Sequence, residues 1–211
     1  MPQTYIFDFD GTLVDSMRFV QRTLLDILDE RKIQYPKDIL KTMITLGHRG
    51  VADYYVREFS FQEQPEEIYE LILQRLKEAY MVEVRAKPSV DDTLRYLKMQ
   101  GCSLNILTAS PHILLDSCIK RFGWGELFDC IWSTEDFYLT KSDPCLFIEV
   151  AKALGKKAEE CYMVDDSVNA LLNAKKAGLK VIGVYDNFAA EDENRIRAIA
   201  ERYVMSFKEL L

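Results

Sequence analysis

The chain is predicted to be of the α/β class, a parallel-sheet core interrupted by an all-helical insert. Three observations predict it. From Lys87-Pro88 onward, short apolar segments alternate with longer amphipathic ones, the signature of βαβ units and a parallel sheet. Residues 16–83 instead carry helical periodicity and no convincing strand. Several strands also end in polar groups: Asp8 with Asp10, Thr108 with Ser110, Asp165 with Asp166.

Thr4 to Asp8 is β-branched and aromatic and stops at Asp10-Gly11, a first strand. Over residues 17–31, Val20, Leu24, Ile27 and Leu28 recur at helical spacing and form one apolar stripe. Residues 65–82 repeat it with Ile68, Leu71, Ile72, Leu76 and Ala79. Pro65 opens this helix, and Glu66 and Glu67 suit the positive end of its dipole. Leu46-Gly47-His48-Arg49-Gly50 is a break between the two.

In the second part, Ser89 is expected to cap a helix to about Gln100, with Asp92 as its capping-box acid and Gly101 as its stop. Ser103 to Thr108 is a strand. Ser110 then Pro111 has the order of a helix start, with Ser110 as the cap. Asp129 to Ser133 is a short strand, and Pro144 to Leu154 a helix closed by Gly155. Cys161 to Asp165 is a strand, Ser167 to Ala177 a helix stopped by Gly178, and Lys180 to Tyr185 a strand. A last helix is expected from Ala189 to Arg202, then a short strand over Tyr203 to Met205. Ser206 with Glu209 reads as a terminal capping box.

At 211 residues the chain is long enough for a core of normal size. A net charge of -7 argues against a broad nucleic-acid surface, which needs clustered Lys and Arg, but leaves a small phosphate ligand open. Five cysteines without a CxxC pair, and only two histidines, argue against structural zinc and for buried free thiols in a reducing compartment. Met1 to Tyr5 leads straight into a strand, so no secretory leader is expected. No apolar run nears the ~20 residues that cross a membrane. The expected setting is the cytoplasm.

In an open parallel sheet, ligands bind beyond the carboxyl ends of strands. An acid after one strand is ordinarily a turn residue or a cap. Carboxylates converging from two strands repel one another unless a cation joins them. Hard oxygen donors favour magnesium, which leaves room for substrate phosphate. With Thr108 and Lys141 facing the same crevice, the set can stabilise a transferring phosphoryl group. Neither histidine has a plausible Cys or Ser partner, whereas a carboxylate nucleophile is known chemistry.

The stretch Asp8-Phe9-Asp10-Gly11-Thr12-Leu13-Val14-Asp15-Ser16 resembles the first signature motif of the haloacid dehalogenase-like hydrolase superfamily. Similar motifs follow in order: Ile106-Leu107-Thr108-Ala109-Ser110, Lys141-Ser142-Asp143-Pro144, and Met163-Val164-Asp165-Asp166-Ser167. The resemblance covers nearly the whole chain and is strongest to the phosphoglycolate phosphatase and beta-phosphoglucomutase branch. It implies a Rossmann-like core over 1–15 and 84–211 with a helical cap over 16–83.

It further implies that Asp8 is the nucleophile and Asp10 the general acid and base. Asp10 also offers its backbone carbonyl to the metal. Thr108, Ala109 and Lys141 would hold the phosphate; Asp165 and Asp166 would complete a Mg2+ shell with Asp8. Asp10 sets the chain apart from the dehalogenases, which lack that acid. Ser142 departs from the usual proline, and Ala170 stands where many relatives carry another acid, so the metal pair must be adjacent.

The expected substrate is a small phosphorylated metabolite, acted on by a monomer or homodimer. Arg49 in the cap, with Ser110 and His112, are candidate substrate contacts. Two alternatives stand beside the phosphatase. A sugar phosphomutase would be expected to carry a cap histidine soon after the first motif, where this chain reads Met17-Arg18-Phe19-Val20-Gln21. A phosphate-binding protein with a dead site would not need every group present.

Overall fold

The structure is a computed structural model that describes residues 3–211. Met1 and Pro2, where the expected core segment 1–15 and the leaderless start begin, lie outside the described residues. The chain runs β1 (Thr4–Phe7), α1 (Met17–Glu30), α2 (Ile39–Phe59), α3 (Pro65–Glu78), a π-helical turn (Ala79–Glu83) and α4 (Val90–Met99). It continues with β2 (Ser103–Thr108), α5 (His112–Phe122), β3 (Cys130–Ser133), α6 (Pro144–Ala153), β4 (Cys161–Asp165), α7 (Val168–Lys176), β5 (Lys180–Val184), α8 (Glu193–Ile199) and β6 (Arg202–Val204).

The strands form one parallel sheet in the order β3-β2-β1-β4-β5-β6. Because strand side chains alternate, the sheet feeds two apolar layers. Ile6, Leu107 and Met163 pack with Leu146, Phe147 and Leu171 of α6 and α7. Phe7, Ile106 and Val164 pack on the opposite face with Val90 and Leu94 of α4 and Leu114 and Leu115 of α5. Strand order reverses at β1, which has β2 on one side and β4 on the other, so the crevice for ligands opens at its carboxyl end. In register, Phe7 pairs with both Ile106 and Val164. Asp8, Asp165 and the Thr108 end of β2 are thereby brought level.

All regular structure between β1 and α4 is helical. Leu24, Ile27 and Leu28 of α1 are buried with Met43, Val51 and Tyr55 of α2 and Ile68, Ile72 and Leu76 of α3. The Tyr55 hydroxyl donates 2.7 Å to the Leu24 carbonyl, satisfying a buried polar group. The expected break in α2 is a kink at Gly47 (φ 68°, ψ 171°). The chain enters and leaves the insert side by side: the Asp15 amide donates to Arg85, and that of Lys87 to Leu13, both at 2.9 Å.

Three local expectations are corrected. Ser89 precedes α4, but at φ 65° its hydroxyl makes no cap bond and the capping box is absent; a side-chain cap needs extended backbone there. Pro111, not Ser110, is the cap residue of α5. The last helix is short: Asn187–Asp192 is a 3-10 turn, α8 ends at Ile199, and Arg202 pairs with Ile182 in β6. The terminal box holds, with Glu209 accepting from the Ser206 amide at 2.9 Å. All five cysteines are free, but Cys145 is exposed rather than buried. Among the described residues no helix is long and apolar enough to cross a membrane.

Candidate active site

Beyond Phe7 the backbone turns sharply through Gly11 at φ 80°, with the Gly11 amide on the Val14 carbonyl at 3.0 Å. A Cβ at Gly11 would stand 2.7 Å from Asp166 Oδ2, so the close approach of this loop to β4 requires glycine. Thr12 then donates 2.9 Å to Asp166 Oδ1. The first loop thus grips the acid at the end of the neighbouring strand.

Asp8, Asp165 and Asp166 converge, and one carboxylate oxygen from each lies within 4.8 Å of the others. All three are buried. Lys141 bridges two of them, donating to Asp8 Oδ1 and, at 2.8 Å, to Asp165 Oδ2. The other Asp165 oxygen accepts from the Ser167 amide at 2.7 Å. Both Asp165 oxygens are therefore engaged within the protein, whereas Asp8 Oδ2 and Asp166 Oδ2 have no donor among the described residues.

The electrostatics of the trio follow from crowding. Burial, and then Asp165, Asp166 and Asp10, push Asp8 well above the usual carboxylate range, while Lys141 opposes them. Burial with Asp165 and Asp186 lifts Asp166 to about 7, against Lys87 and Thr12. Burial alone would lower Lys141, but Asp165 and Asp8 hold it above its ordinary value. An all-oxygen donor set short of positive charge fits a hard divalent cation. Asp8 and Asp166 have oxygens to offer it.

Asp10 is placed differently. Its carboxylate is outside the trio. It accepts from Ser16 Oγ and Tyr80 Oη at 2.5 Å on Oδ1, and from Ser110 Oγ at 2.6 Å on Oδ2. This is the reason Ser110 is not a helix cap: its hydroxyl is turned onto Asp10. Thr108 is buried, its Oγ1 accepting the Ser110 amide at 3.1 Å and standing 3.5 Å from Asp10 Oδ2.

A cavity of about 860 Å³ joins these groups to the insert, lined by Thr108, Ala109 and Lys141 on one side and by His48 and Arg49 on the other. Arg49 is on the wall as expected, but it is paired with Glu66. His112 is not on the cavity wall. It starts α5, with Nε2 2.9 Å from Asp136 Oδ2. Tyr80 and the Lys87–Asp186 pair (2.7 Å) behind Asp166 were not legible from the sequence. Ser16 and Thr12 were inside the first motif, which marked them only as neighbours.

The family model of haloacid dehalogenase-like hydrolases matches residues 5–184. The chain belongs to that family. Among relatives of this haloacid dehalogenase-like hydrolase is a phosphoglycolate phosphatase of Psychrobacter arcticus, 27% identical over 86% of this chain and 83% of that protein. Pyrophosphatase PpaX of Halalkalibacterium halodurans is 29% identical over 96% and 91%. In fold, the chain is similar to CbbY from Rhodobacter sphaeroides, solved with phosphate, at a TM-score of 0.84 and 22% identity, covering 100% of this chain and 96% of that one.

Proposed function

We propose that this hydrolase is a magnesium-dependent phosphatase of the phosphoglycolate phosphatase type in chemistry and architecture. It would hydrolyse a small phosphate monoester through an aspartyl-phosphate on Asp8. The observation that carries the reading is the meeting of Asp8, Asp165 and Asp166 with Lys141 at one end of the cavity. We divide the chain into a core of 1–15 and 84–211 and a cap of 16–83.

One carboxylate oxygen of Asp8 attacks phosphorus while the other stays with the cation, and the ester oxygen leaves with the proton held by Asp10. Asp10 then takes a proton from water, which attacks the acyl phosphate and restores Asp8. Thr108 and the Ala109 backbone face the phosphoryl oxygens, and Lys141 offsets their charge. Asp8, Asp166 and the Asp10 backbone carbonyl would hold Mg2+, which would supply charge neutralisation. Asp165 acts by fixing Lys141 and the turn at Ser167. The helical cap keeps bulk water from the acyl phosphate. The free thiols support a cytoplasmic setting. Met17 and Val20, from the stretch where a mutase is expected to carry its cap histidine, are the apolar residues that line the cavity there, which supports hydrolysis.

The test is release of phosphate from p-nitrophenyl phosphate with magnesium, repeated after chelation and with Asp8→Asn. Activity should fall by at least about a thousandfold in the variant. Full activity in either condition refutes the reading. Conversion of sugar phosphates without free phosphate would favour the mutase.

A further inference from the structure

Resting on the phosphatase reading, we propose that the cap half of the cavity selects an uncharged, hydroxyl-bearing leaving group. The substrate is then a sugar or sugar-alcohol monophosphate rather than an ester with a second anionic group.

The charges on the wall argue first. Arg49 and Lys141 are the cavity's basic residues among those described. Lys141 is committed to Asp8 and Asp165. Arg49 is bonded to Glu66, lies 3.8 Å from Glu135, and stacks 4.1 Å from the centre of the Tyr69 ring. Glu135 is itself fixed by Tyr69 Oη at 2.7 Å, and Asp53 adds another acid to the lining. One guanidinium is thus already matched by two carboxylates, and Asp53 is a further acid on the lining. A leaving group bearing a carboxylate or second phosphate would meet net negative charge.

His48 then says what is accepted. It lies beside the Gly47 kink on the cavity wall, and both ring nitrogens are enclosed without a hydrogen-bond partner among the described residues. Buried polar atoms ordinarily have partners. Burial depresses the imidazole's affinity for a proton, against Asp10 and Glu135. A neutral ring offers one donor and one acceptor. A hydroxyl can answer either nitrogen, being donor and acceptor at once, whereas a carboxylate only accepts.

Tyr138 completes the frame. It lines the cavity while 95% exposed, and its backbone sits at φ 53°, uncommon for a bulky side chain. Its ring gives the mouth a flat apolar surface for the C–H face of a sugar.

The experiment compares kcat/KM for glucose 6-phosphate, sorbitol 6-phosphate, phosphoglycolate and p-nitrophenyl phosphate in the full chain with magnesium. At least one of the two hydroxylated esters should exceed phosphoglycolate by about tenfold or more. His48→Ala should lower kcat/KM for that ester about tenfold more than for p-nitrophenyl phosphate, through KM. The double variant Glu66→Gln, Glu135→Gln frees Arg49 and should move preference toward phosphoglycolate by about fivefold. No excess of either hydroxylated ester over phosphoglycolate, or an equal effect of His48→Ala on both ester classes, overturns the proposal alone. Failure to hydrolyse p-nitrophenyl phosphate at all overturns the phosphatase reading and this one with it.

Discussion

The hydroxyl of Tyr80 donates a 2.5 Å hydrogen bond to Asp10 Oδ1. Tyr80 is fully buried in the π-helical turn that closes the insert, and such turns are frequent at functional sites. Ser16, where the insert begins, donates to the same oxygen, while Ser110 of the core holds the other. The two ends of the insert therefore fix the acid proposed to give and take the proton.

Tyr80→Phe removes one donor and keeps the ring. Turnover of p-nitrophenyl phosphate should fall about 3–10-fold with KM little changed, since the bond orients Asp10 without touching substrate. Steady-state kinetics decide it; an unchanged kcat would show that Ser16 alone suffices.

Lys141→Met leaves Asp8 and Asp165 buried without their cation. Breaking such a pair costs about 3–5 kcal/mol. Urea melts without metal should show that loss, and added magnesium should recover part of it. A variant as stable as the parent contradicts the electrostatic role given to Lys141.

Without metal, burial beside Asp165 and Asp186 pushes Asp166 up to about 7, above the unfolded value near 3.9. Between those values the folded state holds a proton that the unfolded state has lost. Stability should therefore be greatest at low pH and fall as pH rises through about 7. The effect is on the order of a few kcal/mol, and magnesium should abolish it by favouring the ionised form. Thermal melts from about pH 5 to 8, with and without chelator, test it; stability rising with pH in chelator would reverse the sign.

Gly11→Ala places a methyl 2.7 Å from Asp166 Oδ2 in a backbone held at φ 80°. The acid must shift, so the magnesium concentration for half-maximal activity should rise about tenfold or more. Metal titration of the rate is the measurement, and an unaltered midpoint would mean that Asp166 is not a ligand.

Most strands were readable because apolar runs with polar ends are local facts. The helices of the insert were readable from the spacing of residues such as Leu24, Ile27 and Leu28. Ser89 and Ser110 misled for a common reason. Both stand where a hydroxyl can cap a helix, but capping depends on the backbone angle and on competing acceptors. Ser89 has the wrong angle, and Ser110 has Asp10. His112 misled because its neighbour in sequence, Ser110, is in the site, while the first turn of α5 carries the ring toward Asp136.

The sequence by itself determined the alternation of strand and helix, the helical insert and the residue types at the strand ends, since each depends on neighbours along the chain. The tertiary structure decided which of them meet. Strand register sets Asp8 level with Asp165, and the loop at Gly11 brings Asp166 against it. It also decided that Tyr80, 70 residues from Asp10, would hold that acid, and that Arg49 would be spent on Glu66. Those pairings arise from the packing of separate elements, and no local pattern encodes the distance between them.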